Sequence, residues 1–228
     1  GSALYMDWGG NNNKSGRLDV AGNVLLNGNL SLGNASGGDI KVGGNWTRNS
    51  GSTLNTNGRA VFFTGSGNAT ITGNGGETFT YMVNEKTGGS ILLGNNLTLT
   101  APSGGNALTH KSTASIDLNN YDLTFSGPNN SNILADGACS ITGTGNVLIT
   151  SNAKNLTGQN TGSWTFGSNV TIKLQSGFNF GNNVSTINGT LEINSGGFVS
   201  DFAPNYASGS ILQYNSGTTY GRNVEWYS

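Results

Sequence analysis

A short motif recurs about every 23 residues along this chain, and it restricts the possible folds more than any other pattern in the sequence. It consists of a small polar residue, usually Asn, followed by apolar, polar and apolar residues. Spacings of 20 to 28 residues around a strand-type motif are typical of a solenoid, in which apolar residues are buried only by stacking repeats. The nine copies of the motif begin at Asn23, Asn45, Asn68, Asn96, Asp122, Asn146, Asn169, Thr190 and, more weakly, Ser210.

Alternation of apolar and polar residues predicts short β-strands with one buried face. Ile40-x-Val42 and Ile116-x-Leu118 show this period of two outside the motif, and clusters of Gly, Asn and Ser between such segments predict turns. We therefore predict an all-β fold, a single right-handed parallel β-helix of about nine irregular coils over residues 1–228. Coils about 4.8 Å apart would give a rod of roughly 40 Å.

The leading residue of the motif is Asn at six of its nine positions. We expect its side-chain amide to bond the coil above at a turn, as in the Asn ladders of stacked β-structures. Ligand binding by the same residues is the alternative. Cys139 is the only cysteine, and we expect it to lie in or near an aliphatic core rather than to act as a reactive thiol.

Composition excludes several functions. Charged residues make up 9 % and the formal net charge is −1, which disfavours nucleic-acid binding through phosphate neutralisation. No apolar run is long enough for a transmembrane helix, so we predict no membrane insertion. With one Cys and one His, neither a Cys-based zinc site nor a two-histidine zinc motif can form. We predict no metal, no cofactor and no catalytic residues.

Two catalytic alternatives stay open. His110 and Asp117 could form a triad with a distant serine, because such triads are recognised by geometry and not by spacing. Asp117 and Asp122 could also form a carboxylate pair of a polysaccharide lyase or hydrolase. The longest coils, near residues 74–90 and 101–115, hold an unusual share of the few charges and are a further place for a site.

Aromatic residues concentrate near the C-terminus. Rings beside polar groups suit stacking on sugars, so Tyr214, Tyr220, Arg222 and Trp226 are candidate ligand-binding residues. The alternative is that residues 206–228 form a C-terminal cap or a junction to a following domain, because an open coil exposes core and strand edges. At the other end, Gly1 and Ser2 are typical of an expression remnant.

Threonines at alternating positions suggest a second candidate surface. We expect them to point outward on neighbouring coils, and a flat threonine array resembles the surface of β-solenoid ice-binding proteins. Threonine is also common on exposed strands, which is the plainer interpretation. The predicted threonine face consists of Thr70, Thr72, Thr98, Thr100 and Thr124.

Two segments resemble β-helical repeat segments of large secreted surface proteins of Bacteroidetes. Gly43-Gly44-Asn45-Trp46-Thr47, with the strand Val61-Phe62-Phe63-Thr64-Gly65, resembles a G-N-W segment followed by V-x-F-x-G in those proteins. A more specific match is Tyr214-Asn215-Ser216-Gly217, continued by Tyr220-Gly221-Arg222 and Glu225-Trp226. Those proteins are similar to adhesins and pectin-lyase-like β-helices. The resemblance implies an internal piece of a longer extracellular or cell-surface chain, and no catalytic residues.

Three functions follow from these observations. The first is a non-catalytic structural or adhesive segment of an extracellular bacterial surface protein, with a polysaccharide, a host or environmental surface, or neighbouring domains as partners. The second is a carbohydrate-binding or polysaccharide-processing β-helix, which rests on fold analogy and the aromatic residues. The third is ice binding through the threonine face.

Overall fold

The computed structural model describes residues 3–6, 15–102, 105–127, 131–151, 154–220 and 224–226. Within these residues the chain forms β-strands, most of them of two to five residues, and one 3-10 helix. The strands wind into a β-solenoid of about eight turns in which neighbouring strands pair in parallel. The predicted all-β, parallel β-helical fold is therefore confirmed.

Each turn contributes a strand to each of three sides. Strand β1 (Ala3–Tyr5) lies ahead of the first complete turn. Turns 1 to 4 contain β2 (Leu18–Val20), β3 (Val24–Leu26), β4 (Asn29–Ser31), β5 (Ile40–Val42), β6 (Trp46–Arg48), β7 (Thr53–Asn55), β8 (Ala60–Phe63), β9 (Ala69–Thr72), β10 (Glu77–Phe79), β11 (Tyr81–Asn84), β12 (Ile91–Leu93) and β13 (Leu97–Leu99). Turns 5 to 8 contain β14 (Asn106–His110), β15 (Ile116–Asp117), β16 (Asp122–Phe125), β17 (Asn132–Thr142), β18 (Gly145–Ile149), β19 (Lys154–Phe166), β20 (Val170–Leu174), β21 (Gly177–Asn179), β22 (Ser185–Ile187) and β23 (Thr190–Asn194). The C-terminal end consists of β24 (Phe198–Val199), β25 (Asn205–Tyr206), β26 (Ile211–Asn215) and the 3-10 helix Val224–Trp226.

Hydrogen bonding between successive turns defines the three sides. The first side runs from β2 to β24 and the second from β3 to β25. The long strands β17 and β19 belong to both, and they bend where residues adopt positive φ, at Gly137 in β17 and at Asn160 and Thr161 in β19. The third side is divided into a sheet of β1, β4 and β7 and a sheet from β10 to β26.

The core consists of inward side chains that stack in register from turn to turn. Alternation within each strand is visible in β20, where Val170, Ile172 and Leu174 are buried and the residues between them are partly exposed. One row on the first side contains Ile40, Val61, Met82, Leu108, Ile133 and Leu156. One row on the third side contains Phe79, Leu99, Phe125, Ile149, Leu174 and Ile193. Burial of such rows supplies the main driving force for stacking.

The predicted number of nine coils is one too many. The ninth copy of the motif, at Ser210, leads into β26, which is exposed at four of its five positions. It therefore does not enclose a core as the earlier turns do. The motif also changes side along the chain, because Asn68 precedes β9 on the second side whereas Asn96 precedes β13 on the third side.

The repeated Asn residues bond the next turn chiefly through its backbone. Asn23 Oδ1 accepts a hydrogen bond from the backbone N–H of Asn45 at 2.8 Å. Asn45 Oδ1 accepts one from the backbone N–H of Thr70 at 2.9 Å. Asn68 Oδ1 likewise accepts from the Ser90 amide at 3.0 Å. These bonds satisfy backbone donors at the corners of the solenoid. They run from side chain to backbone, which differs from a ladder of stacked amides.

The only described helix is the 3-10 helix Val224–Trp226. None of the described residues form a helix with the length and apolar character that a membrane crossing needs.

Candidate functional site

The C-terminal tyrosines continue rows of the core. On the third side, Tyr214 is in register with the buried Ile193, and on the second side Tyr206 is in register with the buried Ile187. Both rings lie where the last turn leaves the rows uncovered, and they are 38 % and 36 % exposed. Their places in the register explain why aromatic residues collect here.

Tyr214 belongs to a packed polar and aromatic cluster. Its hydroxyl donates to Glu225 Oε1 at 2.8 Å, and its ring centroid is 5.1 Å from that of Tyr220. Glu225 is fully buried, and Tyr220 and Val224 pack against the hydrophobic core. Burial, with the nearby Glu225 carboxylate, raises the pKa of Tyr220. These contacts are those of a cover over the end of the core.

The side chains of the other two candidates of this group lie outside the part that the structure describes. Arg222 lies outside the described residues. Trp226 ends the 3-10 helix. The structure therefore brings together the rings of Tyr214 and Tyr220, and it adds Glu225 as the hydrogen-bond partner of Tyr214.

The predicted threonine face is divided between two sides. Thr70 and Thr72 lie in β9 on the second side, where Thr70 is in register with Leu92. Thr98 and Thr124 lie on the third side and are in register with each other. Thr100 follows β13, and its hydroxyl donates to the carbonyl of Phe79 at 3.4 Å. The five residues do not form one array, because the motif changes side between Asn68 and Asn96.

A buried ion pair fills the break in the third side. Glu77 accepts from Trp46 Nε1 at 2.8 Å and from Arg48 Nε at 3.0 Å. Arg48 also donates to the carbonyl of Gly76 at 3.0 Å, and the amide of Thr78 donates to Glu77 at 2.9 Å. Every bond joins neighbouring turns or the same turn, so this carboxylate has a structural environment.

The remaining charges of the long coils are also engaged. Lys111 Nζ lies 3.1 Å from Glu85 Oε1 in an ion pair on the first side. Lys86 is buried and donates to the carbonyl of Thr64 at 3.2 Å, and burial lowers its pKa. The charges at residues 74–90 and 101–115 thus connect turns 2 to 5.

His110 occupies an inward position of the first side, between Asn84 of turn 4 and Ala135 of turn 6. Asn84 Nδ2 lies 3.2 Å from His110 Nδ1 and donates to the carbonyl of Ala114, while Asn84 Oδ1 accepts from the Lys86 amide. The amide orientation makes Nδ1 the acceptor and leaves the proton on Nε2. Burial lowers the pKa of His110 to about 4.

Cys139 is buried, as expected, and its thiol donates to the carbonyl of His110 at 2.9 Å. Burial raises its pKa to about 11, so the thiolate is scarce at neutral pH. His110 lies edge-on to Trp164, with ring centroids 5.4 Å apart. The nitrogen and sulfur groups of this region are packed in the core.

The carboxylates of the two catalytic alternatives lie on different sides. Asp117 ends β15 on the second side, and its Oδ1 accepts from the Asn119 amide at 2.9 Å. Asp122 begins β16 on the third side and accepts from Asn146 Nδ2 at 2.7 Å. Both therefore act as turn-stabilising groups. Among the described residues, no three His, Cys, Asp or Glu side chains are grouped to hold a metal ion.

Two adjoining clefts lie beside turns 7 and 8, where the first side meets the second. Their volumes are about 510 and 520 Å³, within the usual range for ligand sites. Asn182, Asp201 and Phe202 line both clefts, and Asn155 and Asn179 line the second. We call these five residues the amide cleft.

The amide cleft was not predicted from the sequence. Its residues come from turn 7, turn 8 and the C-terminal end, and they lie up to 47 positions apart, from Asn155 to Phe202. One signal was available, because Asn155 and Asn179 are both Asn at equivalent places of neighbouring repeats. Only the register between β19 and β21 shows that the two side chains are adjacent.

Comparison with known proteins leaves the function to be argued from the structure. No protein-family model, no curated protein and no solved structure matches the chain. The resemblance to secreted surface proteins of Bacteroidetes stays a prediction.

Proposed function

We propose that this chain is a non-catalytic structural and adhesive segment of an extracellular bacterial surface protein. The observation that carries the proposal is the stacking itself. Inward rows continue in register through at least six turns on the first and third sides, and hydrogen bonds join each turn to the next. A stack of this kind holds surface groups at fixed spacing along a rod, which is what a spacer or an adhesive stalk requires.

The use of charge supports the same proposal. The ion pairs Arg48–Glu77 and Lys111–Glu85 connect neighbouring turns, as does the weaker pair Lys173–Glu192 at 3.7 Å. Glu225 bonds a tyrosine of the C-terminal cover. These carboxylates form ion pairs or hydrogen bonds within the protein, whereas a hydrolase or lyase needs carboxylates directed at its substrate.

The ends of the solenoid favour neighbouring domains as partners. Near the first turn, Leu4 and Leu25 are 53 % and 57 % exposed beside an apolar cleft of about 540 Å³. At the opposite end Ile211 of β26 is 55 % exposed. Apolar residues at both ends of a stack suit contact with adjacent segments of a longer chain.

Two measurements test this proposal. In intact cells of the bacterium that encodes the chain, an antibody against it should label the surface before permeabilisation. Labelling only after permeabilisation would contradict the extracellular part.

The purified protein, incubated with a panel of polysaccharides, should release no oligosaccharides by chromatography and reducing-end assay. Release that scales with protein concentration would contradict the non-catalytic part.

A further inference from the structure

The amide cleft combines an exposed aromatic ring with a fixed backbone. Phe202 is 45 % exposed, although the neighbouring Phe178 and Phe180 are buried in the core. Its backbone is held at both ends, since its amide donates to Ser200 at 2.7 Å and its carbonyl accepts from Phe180 at 3.1 Å. A single exposed ring is ordinary on a protein surface. This one is distinguished by its rigid attachment and by the polar groups around it.

Two of those polar groups, Asn179 and Asp201, are held in place by hydrogen bonds within the protein. Asn179 Nδ2 donates to Asp201 Oδ2 at 3.1 Å, and Asn179 Oδ1 accepts from the Gly181 amide at 2.8 Å. Asp201 has a φ of 60°, in the left-handed region that non-glycine residues seldom adopt.

The chemistry of the lining selects a class of ligand. Asn155 and Asn182 offer donors and acceptors, and Asp201 adds acceptors, whereas the Asn179 amide is already engaged by Asp201 and Gly181. Asn155 Nδ2 makes one long bond of 3.5 Å to Asn132 Oδ1, which leaves its second hydrogen and its oxygen for a ligand. Hydroxyl groups, which donate and accept, match this set. Among the described lining residues the only formal charge is the Asp201 carboxylate. An anionic ligand would be repelled, and no described cation there would attract it.

We propose that the amide cleft binds a neutral oligosaccharide. Phe202 packs against the apolar face of one pyranose ring, and the side chains of Asn155, Asn182 and Asp201 bond its hydroxyl groups. Asn179 positions Asp201 and does not have to touch the sugar. The proposal goes beyond the structural function, because a spacer would be complete without this site. It also differs from the Tyr214 and Tyr220 cluster, which covers the core.

The test is binding of neutral hexasaccharides to the whole chain, measured by calorimetry and by NMR. Cellohexaose, laminarihexaose and mannohexaose serve as probes, and hexagalacturonate is the anionic comparison. We expect at least one neutral probe to bind and hexagalacturonate not to bind. Phe202→Ala should weaken binding by about tenfold or more, the effect of losing roughly one good contact. Phe198→Ala is the matched control, because that ring is 41 % exposed and lies outside the cleft; it should change affinity by less than about twofold.

The NMR arm works without any variant. The side-chain amide resonances of Asn155 and Asn182 should shift on addition of the bound probe, whereas that of Asn146, at an opposite side of the solenoid, should not. Absence of binding by all three neutral probes would overturn the proposal. Equal affinity of the wild type and a folded Phe202→Ala variant would also overturn it, as would preference for hexagalacturonate. None of these outcomes bears on product release or surface labelling, so failure here is distinct from failure of the structural function.

Discussion

At the scale of single residues, the fold depends on places where a side chain would obstruct the next turn. Gly43 lies at the corner between β5 and β6, and its amide donates to the carbonyl of Val20 at 2.8 Å. A Cβ added at Gly43 would overlap the carbonyl oxygen of Ala21 in the turn below. Glycine is needed here for close approach of two backbones, since its φ is not in the left-handed region.

We therefore expect Gly43→Ala to lower the free energy of unfolding by about 1 to 3 kcal/mol, because turns 1 and 2 must separate locally. Gly67→Ala is the control, since no atom lies within 4 Å of the added methyl group. It should change stability by less than about 1 kcal/mol, in either direction. Urea unfolding of both variants makes the comparison. Equal losses of unfolding free energy in the two variants would show that the close approach of turns 1 and 2 does not require glycine at position 43.

At the scale of elements, the third side shows how a broken sheet can be stabilised. Strands β7 and β10 do not pair, and Glu77 and Arg48 lie where the two sheets meet. The Glu77 side chain is 2 % exposed and that of Arg48 is 18 % exposed. A buried pair adds little relative to apolar packing, yet removing one partner is costly because the other charge is left without compensation.

Glu77→Gln should accordingly destabilise the protein by about 2 to 4 kcal/mol while it keeps the shape of the side chain. Glu85→Gln, which removes an exposed ion pair with Lys111, should cost less than about 1 kcal/mol. The free energies of unfolding of both variants can be measured by chemical denaturation at neutral pH. If Glu77→Gln lowers the free energy of unfolding no more than Glu85→Gln does, the contact between the two sheets of the third side does not depend on the charge of Glu77.

At the scale of the whole molecule, stability is shared among turns that contact only their neighbours. A perturbation of one turn therefore also weakens its interfaces with the turns on both sides. His110 lies in turn 5, inside the core and against Asn84 and Trp164. Its pKa is lowered by burial from 6.5 to about 4, so the unfolded chain takes up a proton more readily than the folded one.

Stability should consequently be complete above pH 6.5 and fall as the pH is lowered toward 4, at up to about 1.4 kcal/mol per pH unit. Between pH 7 and 4.5 this amounts to a loss of about 2 to 3 kcal/mol from His110. His110→Gln removes the titration, and carboxylates contribute equally to both proteins. Urea unfolding at the two pH values should therefore show a smaller loss in the variant. A constant difference between wild type and variant across this range would contradict the prediction.

Patterns in the amino-acid sequence were sufficient to predict the fold class. Apolar alternation acts within three to five residues, and its return about every 23 residues predicts stacked strands whatever the exact register. The burial of Cys139 followed from the same reasoning. The aromatic residues near the C-terminus were also visible, but not the reason for Tyr206 and Tyr214, which end core rows.

Which repeats share a side, and which side chains are in contact, became clear from the three-dimensional arrangement of the turns. The motif at Asn96 matches the motif at Asn68 in sequence, yet the strands that follow them lie on different sides of the solenoid. The predicted threonines are therefore divided between two sides. The amide cleft joins Asn155 of turn 7, Asn179 of turn 8 and Phe202 of the C-terminal end. The physical reason is that hydrogen bonds between turns fix the register, and loops of unequal length change which residues those bonds align.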